Sequence, residues 1–374
     1  KQTMKIKLAK SILTAALPLF LIASCGGDDS SVTDESAEMP ATGRCGDESK
    51  LGDTLNFYNW ADYIDPQVLT DFETECGVAV TMGTYTSNQE LIAKVQAGNS
   101  GYSLVIPTDY AAEQMIETGL AQKLDMSLIP NAVNLDPKQM GLYYDKDNEY
   151  TLPYQYSTTG IAYNSKSFDT PPTSWSALFD KNEHCNKSSI LDDQYEAVGA
   201  ALVYLGYSYS SLDPVAHEKA RDLLIAARDC ISAFDSANFI GNLASGEVVI
   251  AESWGFAAGI ARLDNPDVKF VIPDEGGIMW QDNFMIPVDA PDAYTAHVFI
   301  NYMLEADVGA KITEFILGFT PNLEAAKLLS TDYLALINDG GIAVTDDVRK
   351  RLSPSEHGSS EVFSATWNAV TTSG

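Results

Sequence analysis

Short apolar strands alternating with capped amphipathic helices restrict this chain more than any other feature of its sequence. Leu55 to Tyr58 is an apolar strand, after which Asp65-Pro66 supplies an N-cap and a first-turn proline. Val68, Leu69, Phe72 and Cys76 then share one helical face, and Gly77 stops the helix. Val78 to Met82 is the next strand, Ser87-Asn88-Gln89-Glu90 is a capping box ahead of Leu91, Ile92 and Val95, and Tyr102 to Ile106 is a third strand. Strands joined through helices run parallel, so the pattern predicts a parallel α/β sheet with ligands at the carboxyl ends of its strands. Trp60-Ala61-Asp62-Tyr63 and Thr108-Asp109-Tyr110 fall at such ends.

After Tyr154 the pattern restarts, with strands at Gly160 to Tyr163 and Ser189 to Leu191. Asp193 opens a helix through Ala197, Ala201 and Leu205, and Glu196 sits three residues on, where the helix dipole favours both acids. Leu223 to Ile231, Ile240 to Leu243 and the strand Val248 to Ala251 complete a second lobe, which delivers Trp254. Val268 to Ile272 ends at Pro273, Ala296 to Leu317 is read as one helix broken by Gly318 to Asn322, and the tail after Asn338 is polar and without a clear period.

Chemistry concentrates between residues 274 and 286. Trp280 and Asp282 stand two apart in an extended segment, so both point to one side of a strand. A π face beside a carboxylate, after a Gly pair that admits close backbone approach, suits an organic ammonium ion. Taken singly, Trp280 also suits a core and Asp282 a turn. Trp60 with Asp62, Trp254 near Glu252 and Trp280 with Asp282 repeat the pairing at three of the five tryptophans.

The formal net charge of −29 argues against nucleic acid, whose phosphates need surplus Lys and Arg, and favours cationic ligands, although an acidic surface also serves solubility. A basic segment from Met4 to Lys10 and an apolar run from Ile12 to Ala23, too short to span a bilayer comfortably, read as a signal peptide over residues 1–24, with Met4 as initiator. Leu21-Ile22-Ala23-Ser24-Cys25 resembles the bacterial lipobox, which makes Cys25 the acylated mature N-terminus and the membrane anchor of an extracytoplasmic protein. Residues 25–50 form a flexible acidic tether. Cys45, Cys76, Cys185 and Cys230 remain, and in an oxidising compartment they allow two disulfides in three connectivities. Pairing in sequence order is preferred, because near neighbours more often share a lobe. No cysteine or histidine spacing marks a metal site, and no motif calls for a cofactor.

Phe57-Tyr58-Asn59-Trp60-Ala61-Asp62-Tyr63, Tyr85-Thr86-Ser87-Asn88-Gln89-Glu90, Leu104-Val105-Ile106-Pro107-Thr108, Glu275-Gly276-Gly277-Ile278-Met279-Trp280-Gln281-Asp282 and Phe319-Thr320-Pro321-Asn322-Leu323-Glu324-Ala325-Ala326 resemble the bacterial polyamine-binding proteins, the spermidine/putrescine receptors of ABC transporters. The resemblance covers roughly residues 52–335. It implies the two-lobe periplasmic-binding-protein fold, with residues 51–157 and 284–320 in one lobe and 158–283 and 321–374 in the other. Hinge crossings are expected near Tyr156–Thr159, Asp282–Met285 and Thr320–Asn322, with the ligand cleft between the lobes.

By the matching motifs, Trp60 and Tyr63 correspond to cleft aromatics, Asp62 to a nearby acid, and Thr108 and Tyr110 to the next binding loop. Asp193 and Glu196 correspond to the ammonium-binding acids of the second lobe, and Trp254, Trp280 and Asp282 to the walls and terminal acid. Ala61 and Asp109 depart from the family pattern, and the family's C-terminal amide contact has no counterpart. Two second-lobe acids three apart, with Ala257 where the putrescine-preferring branch carries an extra Asp, imply spermidine over putrescine. The partners implied are a small polyamine and the permease subunits of an ABC transporter.

Two other readings remain open on the sequence. One is a receptor of the same fold for another ligand. The other is a glycoside hydrolase using Asp192, Asp193 and Glu196 near Asp282 as acid and nucleophile.

Overall fold

A ten-stranded mixed sheet runs through the computed structural model, which describes residues 43–180, 183–356 and 361–373. Its strands are β1 (Thr54–Trp60), β2 (Ala79–Tyr85), β3 (Leu104–Val105), β4 (Thr151–Asn164), β5 (Ser188–Ile190), β6 (Ala233–Phe234), β7 (Ile250–Trp254), β8 (Val268–Val271), β9 (Gly277–Met285) and β10 (Leu352–Pro354). They lie in the order β2-β1-β3-β9-β4-β7-β5-β6, with β8 also on β4 and β10 also on β9. The segment expected to be a signal peptide, Cys25 and most of the expected tether lie outside the described residues.

At one end, β1 pairs in parallel with β2 and β3, as the strand and helix alternation predicts. Asp65 accepts a hydrogen bond from Gln67 N at the start of the helix Pro66–Cys76, and Gly77 ends it at φ 69°, a left-handed conformation that glycine adopts without steric cost. At the other end β5 pairs in parallel with β6 and β7. Two long strands, β4 and β9, run antiparallel between these groups.

Burial shows what the long strands join. Leu152 and Tyr154 of β4 and Phe284 of β9 sit in one apolar core with Leu55, Phe57 and Phe299. Ile161 and Tyr163 of β4 and Ile278 and Trp280 of β9 sit in another with Trp175, Val198 and Ile250. Between the cores both strands are polar yet buried, at Gln155, Ser157, Thr158 and Thr159 on β4 and at Gln281, Asp282 and Asn283 on β9. Phe319 pairs with Tyr156 through two backbone hydrogen bonds of 3.0 Å, so a third segment crosses at the same level.

Among the described residues Cys45 is bonded to Cys76 at the end of the helix Pro66–Cys76, and Cys185 to Cys230, just past the helix Pro214–Ala227. Three sequence expectations need correction. The span from Ala296 to Leu317 is two helices, Ala293–Met303 and Ala306–Ile316, because Glu305 is extended and its carbonyl starts a fresh helix by accepting from Gly309 N. The tail after Asn338 is ordered where described: β10 extends β9, and the helix Glu361–Thr372 buries Phe363 and Val370 in the second core. The Gly276-Gly277 pair is needed by the chain itself, since a Cβ at Gly277 would stand 2.5 Å from Thr159 O and one at Gly276 2.7 Å from Arg351 O.

Candidate ligand-binding site

Asp282 is the centre of the first cluster. Its place on β9 opposite Gln155 is fixed by the ladder, and Tyr63 and Thr108 reach it from the carboxyl ends of β1 and β3. Tyr63 OH donates to Oδ2 and Thr108 Oγ1 to Oδ1, both at 2.7 Å. Burial pushes the Asp282 carboxyl up to about 6, with the two hydroxyls pulling it back toward the ionised form.

The loops that deliver these hydroxyls are held by local chemistry. Asn59 Nδ2 and Tyr154 OH both donate to Tyr63 O, so the turn after β1 closes back on itself, and Asp62 adopts a left-handed φ of 54° at its exposed corner. Asn88 accepts from Thr108 N at 3.2 Å while its Nδ2 donates to Thr108 Oγ1 and to Tyr110 OH at 3.1 and 2.9 Å. Asn88, read from sequence only as part of a capping box, therefore orients the Thr108–Tyr110 loop.

Glu196 is the centre of the second cluster. Its Oε1 accepts from Trp254 Nε1 at 2.9 Å and from Thr159 Oγ1 at 3.1 Å, and its Oε2 accepts from Tyr209 OH at 2.9 Å. Burial first, then repulsion from Asp193, pushes its carboxyl up to about 7. Asp193 Oδ1 caps the helix Gln194–Tyr204 by accepting from Tyr195 N and Glu196 N, and burial raises its own pKa. Trp280 Nε1 donates to Thr159 Oγ1 at 3.2 Å, so Thr159 connects the wall beside Asp282 to the second cluster.

Aromatic rings join the clusters. Phe256 lies 5.8 Å from Trp254 in a parallel stack, 6.1 Å from Trp280 edge-on and 6.3 Å from Tyr63. Tyr110 packs 4.5 Å from Tyr195. Tyr63 and Thr108 thus meet Asp282 directly, Trp280 reaches Thr159 and packs on Phe256, Trp254 and Glu196 meet through a hydrogen bond, and Tyr110 packs on Tyr195. Trp60 stands slightly apart, packed on Tyr85 and donating to Ile106 O, and Asp62 is not among the buried acids.

Sequence reasoning missed Thr159, Tyr209, Phe256 and Asn88. Only Phe256 carried a usable signal, an aromatic two residues beyond Trp254. Asp109, the departure from the family pattern, is buried and serves the scaffold. It accepts from Ser355 Oγ, Tyr110 N and Gln281 N and so fastens the Thr108–Tyr110 loop to β9 and the C-terminal segment.

Among the described residues no lysine, arginine or histidine pairs with Asp193, Glu196 or Asp282. The clusters offer acceptors and π faces in a water-poor setting, which is what an organic ammonium exchanges its hydration for. An open cavity of about 220 Å³ beside the Tyr156–Phe319 crossing is lined by Leu329, Tyr333, Leu334 and Ile337 and has no carboxylate, so it lacks that chemistry.

Residues 67–335 match the model of a family described as bacterial extracellular solute-binding protein. A spermidine/putrescine-binding periplasmic protein of Salmonella typhimurium is 38% identical over 282 residues, covering 75% of this chain and 81% of that protein. A putrescine-binding periplasmic protein of Escherichia coli is 34% identical over 321 residues, covering 80% and 85%. The solved structure of a Treponema pallidum lipoprotein, TpPotD, superposes with a TM-score of 0.75 at 29% identity over 85% of this chain and 99% of that one. With this match the two groups of strands joined by β4 and β9 are the two lobes of a periplasmic-binding-protein fold. The hydrolase alternative falls with it, since the family and these relatives are solute-binding proteins. The chain belongs to the bacterial extracellular solute-binding protein family, the family of the spermidine/putrescine-binding periplasmic proteins, and is a receptor, not an enzyme.

Proposed function

We propose that the protein is an extracytoplasmic polyamine receptor that hands its ligand to an ABC transporter, with spermidine preferred over putrescine. The observation that carries this reading is the pair of buried acidic clusters without a paired cation among the described residues, Asp282 with Tyr63 and Thr108, and Glu196 with Asp193, joined by Trp254, Phe256 and Trp280. A polyamine is a set of ammonium groups separated by methylene runs, and it needs acids at the ends with apolar walls between them. Each aromatic face contributes about 0.5–2 kcal/mol to a desolvated ammonium, and the carboxylates contribute the larger share. Relatives named for spermidine/putrescine and for putrescine support the class of ligand.

The preference rests on charge counting. Asp282, the Asp193/Glu196 pair and the exposed Asp62 at the cleft turn match three charges, and Ala257 stands where the putrescine-preferring branch carries an extra Asp. The ligand is held between lobe 1, residues 51–157 with 284–320, and lobe 2, residues 158–283 with 321–374, and the body is tethered to a membrane through acylated Cys25. Lobe closure then reports occupancy to the permease subunits.

Calorimetric titration with putrescine, spermidine and spermine at one fixed salt concentration tests the reading. Micromolar or tighter binding, about −8 kcal/mol, with spermidine ahead of putrescine is expected. No binding by any polyamine overturns the function, and displacement of spermidine by equal or lower putrescine overturns the preference alone.

A further inference from the structure

We infer that Glu252 is a further ammonium-binding residue, which completes with Asp193 and Glu196 a three-carboxylate end to the ligand site. The inference rests on the polyamine reading and extends it to a residue outside the set that the family motifs supply.

Glu252 lies on β7 two residues before Trp254, so the two side chains leave the same side of the strand. Trp254 Nε1 reaches Glu196 Oε1 at 2.9 Å, which places the Glu252 carboxyl on the side where Glu196 stands. The position is also the carboxyl end of a parallel pair: Leu191, one residue past β5, donates its N–H to Glu252 Oε2 at 3.1 Å. That bond fixes one oxygen and leaves the other. Glu252 is 1% exposed, yet Oε1 accepts no hydrogen bond among the described residues. Buried carboxylate oxygens ordinarily have donors, and a buried acceptor without one is costly, so the site lacks a donor that a ligand would bring.

The surroundings specify that donor. The ionisable groups facing Glu252 are Glu196, Asp193 and Tyr209, and none of them carries positive charge. No lysine, arginine or histidine pairs with it among the described residues. Glu196 already accepts from Trp254, Thr159 and Tyr209, and Asp193 Oδ1 is taken by its helix cap. An alkylammonium group has three N–H donors and needs acceptors from more than one side. Glu252 Oε1 supplies an acceptor that has no other use. Among the described residues no group of three or more His, Cys, Asp and Glu is arranged to hold a metal ion, so the geometry favours an organic cation. Burial and repulsion from Glu196 both raise the pKa of Glu252, so the empty cluster retains protons that an arriving ammonium displaces.

Glu252→Gln isolates the charge, since the amide oxygen still accepts from Leu191 N. Spermidine titrations of wild type and variant at pH 7.5, with melting temperatures of both, are expected to show an unchanged or higher melting temperature and at least a fivefold loss of affinity. The wild-type affinity should also rise between pH 6 and pH 8, and less steeply in the variant. A purely structural Glu252 would leave that profile unchanged. A loss below fivefold overturns the inference, as does an unaltered pH profile. Should the Gln variant not fold, Glu252→Asp keeps the charge but draws it back by about one bond length, and equal affinity in that variant overturns the inference. Failure of the wild type to bind any polyamine sinks the functional reading itself, whereas a binding-competent wild type with an indifferent variant sinks only the role of Glu252.

Discussion

Replacing Asp282 by Asn should move binding and stability in opposite directions. The substitution preserves shape and leaves groups able to meet Tyr63 OH and Thr108 Oγ1, both now 2.7 Å from the carboxylate. It removes the charge proposed to face the ligand. Leaving a desolvated ammonium unpaired costs about 3–5 kcal/mol, so affinity for spermidine should fall by about 10²-fold or more, at 1.4 kcal/mol for each tenfold change. In the empty receptor the sign reverses. Burial lifts the carboxyl from 3.8 to about 6, which corresponds to roughly 3 kcal/mol of strain on the ionised form. Because the folded-state value is raised, stability from this group is fully present below its unfolded value and is lost as pH rises through 6. The ligand-free Asn variant should therefore melt higher than wild type at pH 7.5, and the advantage should vanish near pH 4. Differential scanning calorimetry without ligand, paired with titration calorimetry, reads both effects. An affinity loss below tenfold, or a variant that melts lower than wild type at pH 7.5, would refute the assignment of Asp282 as an unpaired acid awaiting a cation.

Polyamine affinity should strengthen as pH rises from 5 to 8, because Asp282 and Glu196 titrate near 6 and 7 in the empty site and the ammonium selects their ionised forms; a flat profile across that range argues against both acids. Replacing Cys45 and Cys76 by Ser should lower stability by about 2–4 kcal/mol in denaturant titrations, since the bridge closes 31 residues of sequence, with binding unaffected because neither cysteine touches the acidic clusters. Fatty-acid labelling of cells producing the protein should mark the wild type and be lost in Cys25→Ser, and persistent labelling of that variant would remove Cys25 as the anchor.

The sequence carried its site where the determinants were local. Asp65-Pro66 with Gly77, and Asp193 at its helix start, are decided within a few residues by capping and dipole, and the structure has both. The Trp280 and Asp282 pairing is likewise legible because alternation along one strand needs no knowledge of the strand's neighbours. What escapes is settled across distance. The apolar pattern restarts after Tyr154 because Gln155 to Thr159 is polar and lacks an apolar period, yet β4 runs unbroken from Thr151 to Asn164. Those polar residues are held by ladder bonds to β9, more than a hundred positions away.

Thr159 shows why such positions are invisible in one dimension. A threonine in mid-strand has an adequate explanation in β-propensity alone, and nothing near it hints that its hydroxyl accepts from Trp280 and donates to Glu196, 121 and 37 residues distant. β10 is the extreme case: three residues become a strand only because Gly277 to Met279 present an edge for them. The acidic cluster around Glu196 and Glu252 is built in the same way. Leu191 N and Glu252 are 61 residues apart, and only the parallel pairing of β5 with β7 brings the donor to the carboxylate. Local chemistry therefore marks which residues can face a cation, whereas the sheet decides which of them meet. The acids that meet without a counter-charge among the described residues are the ones to which the proposed function gives the ligand.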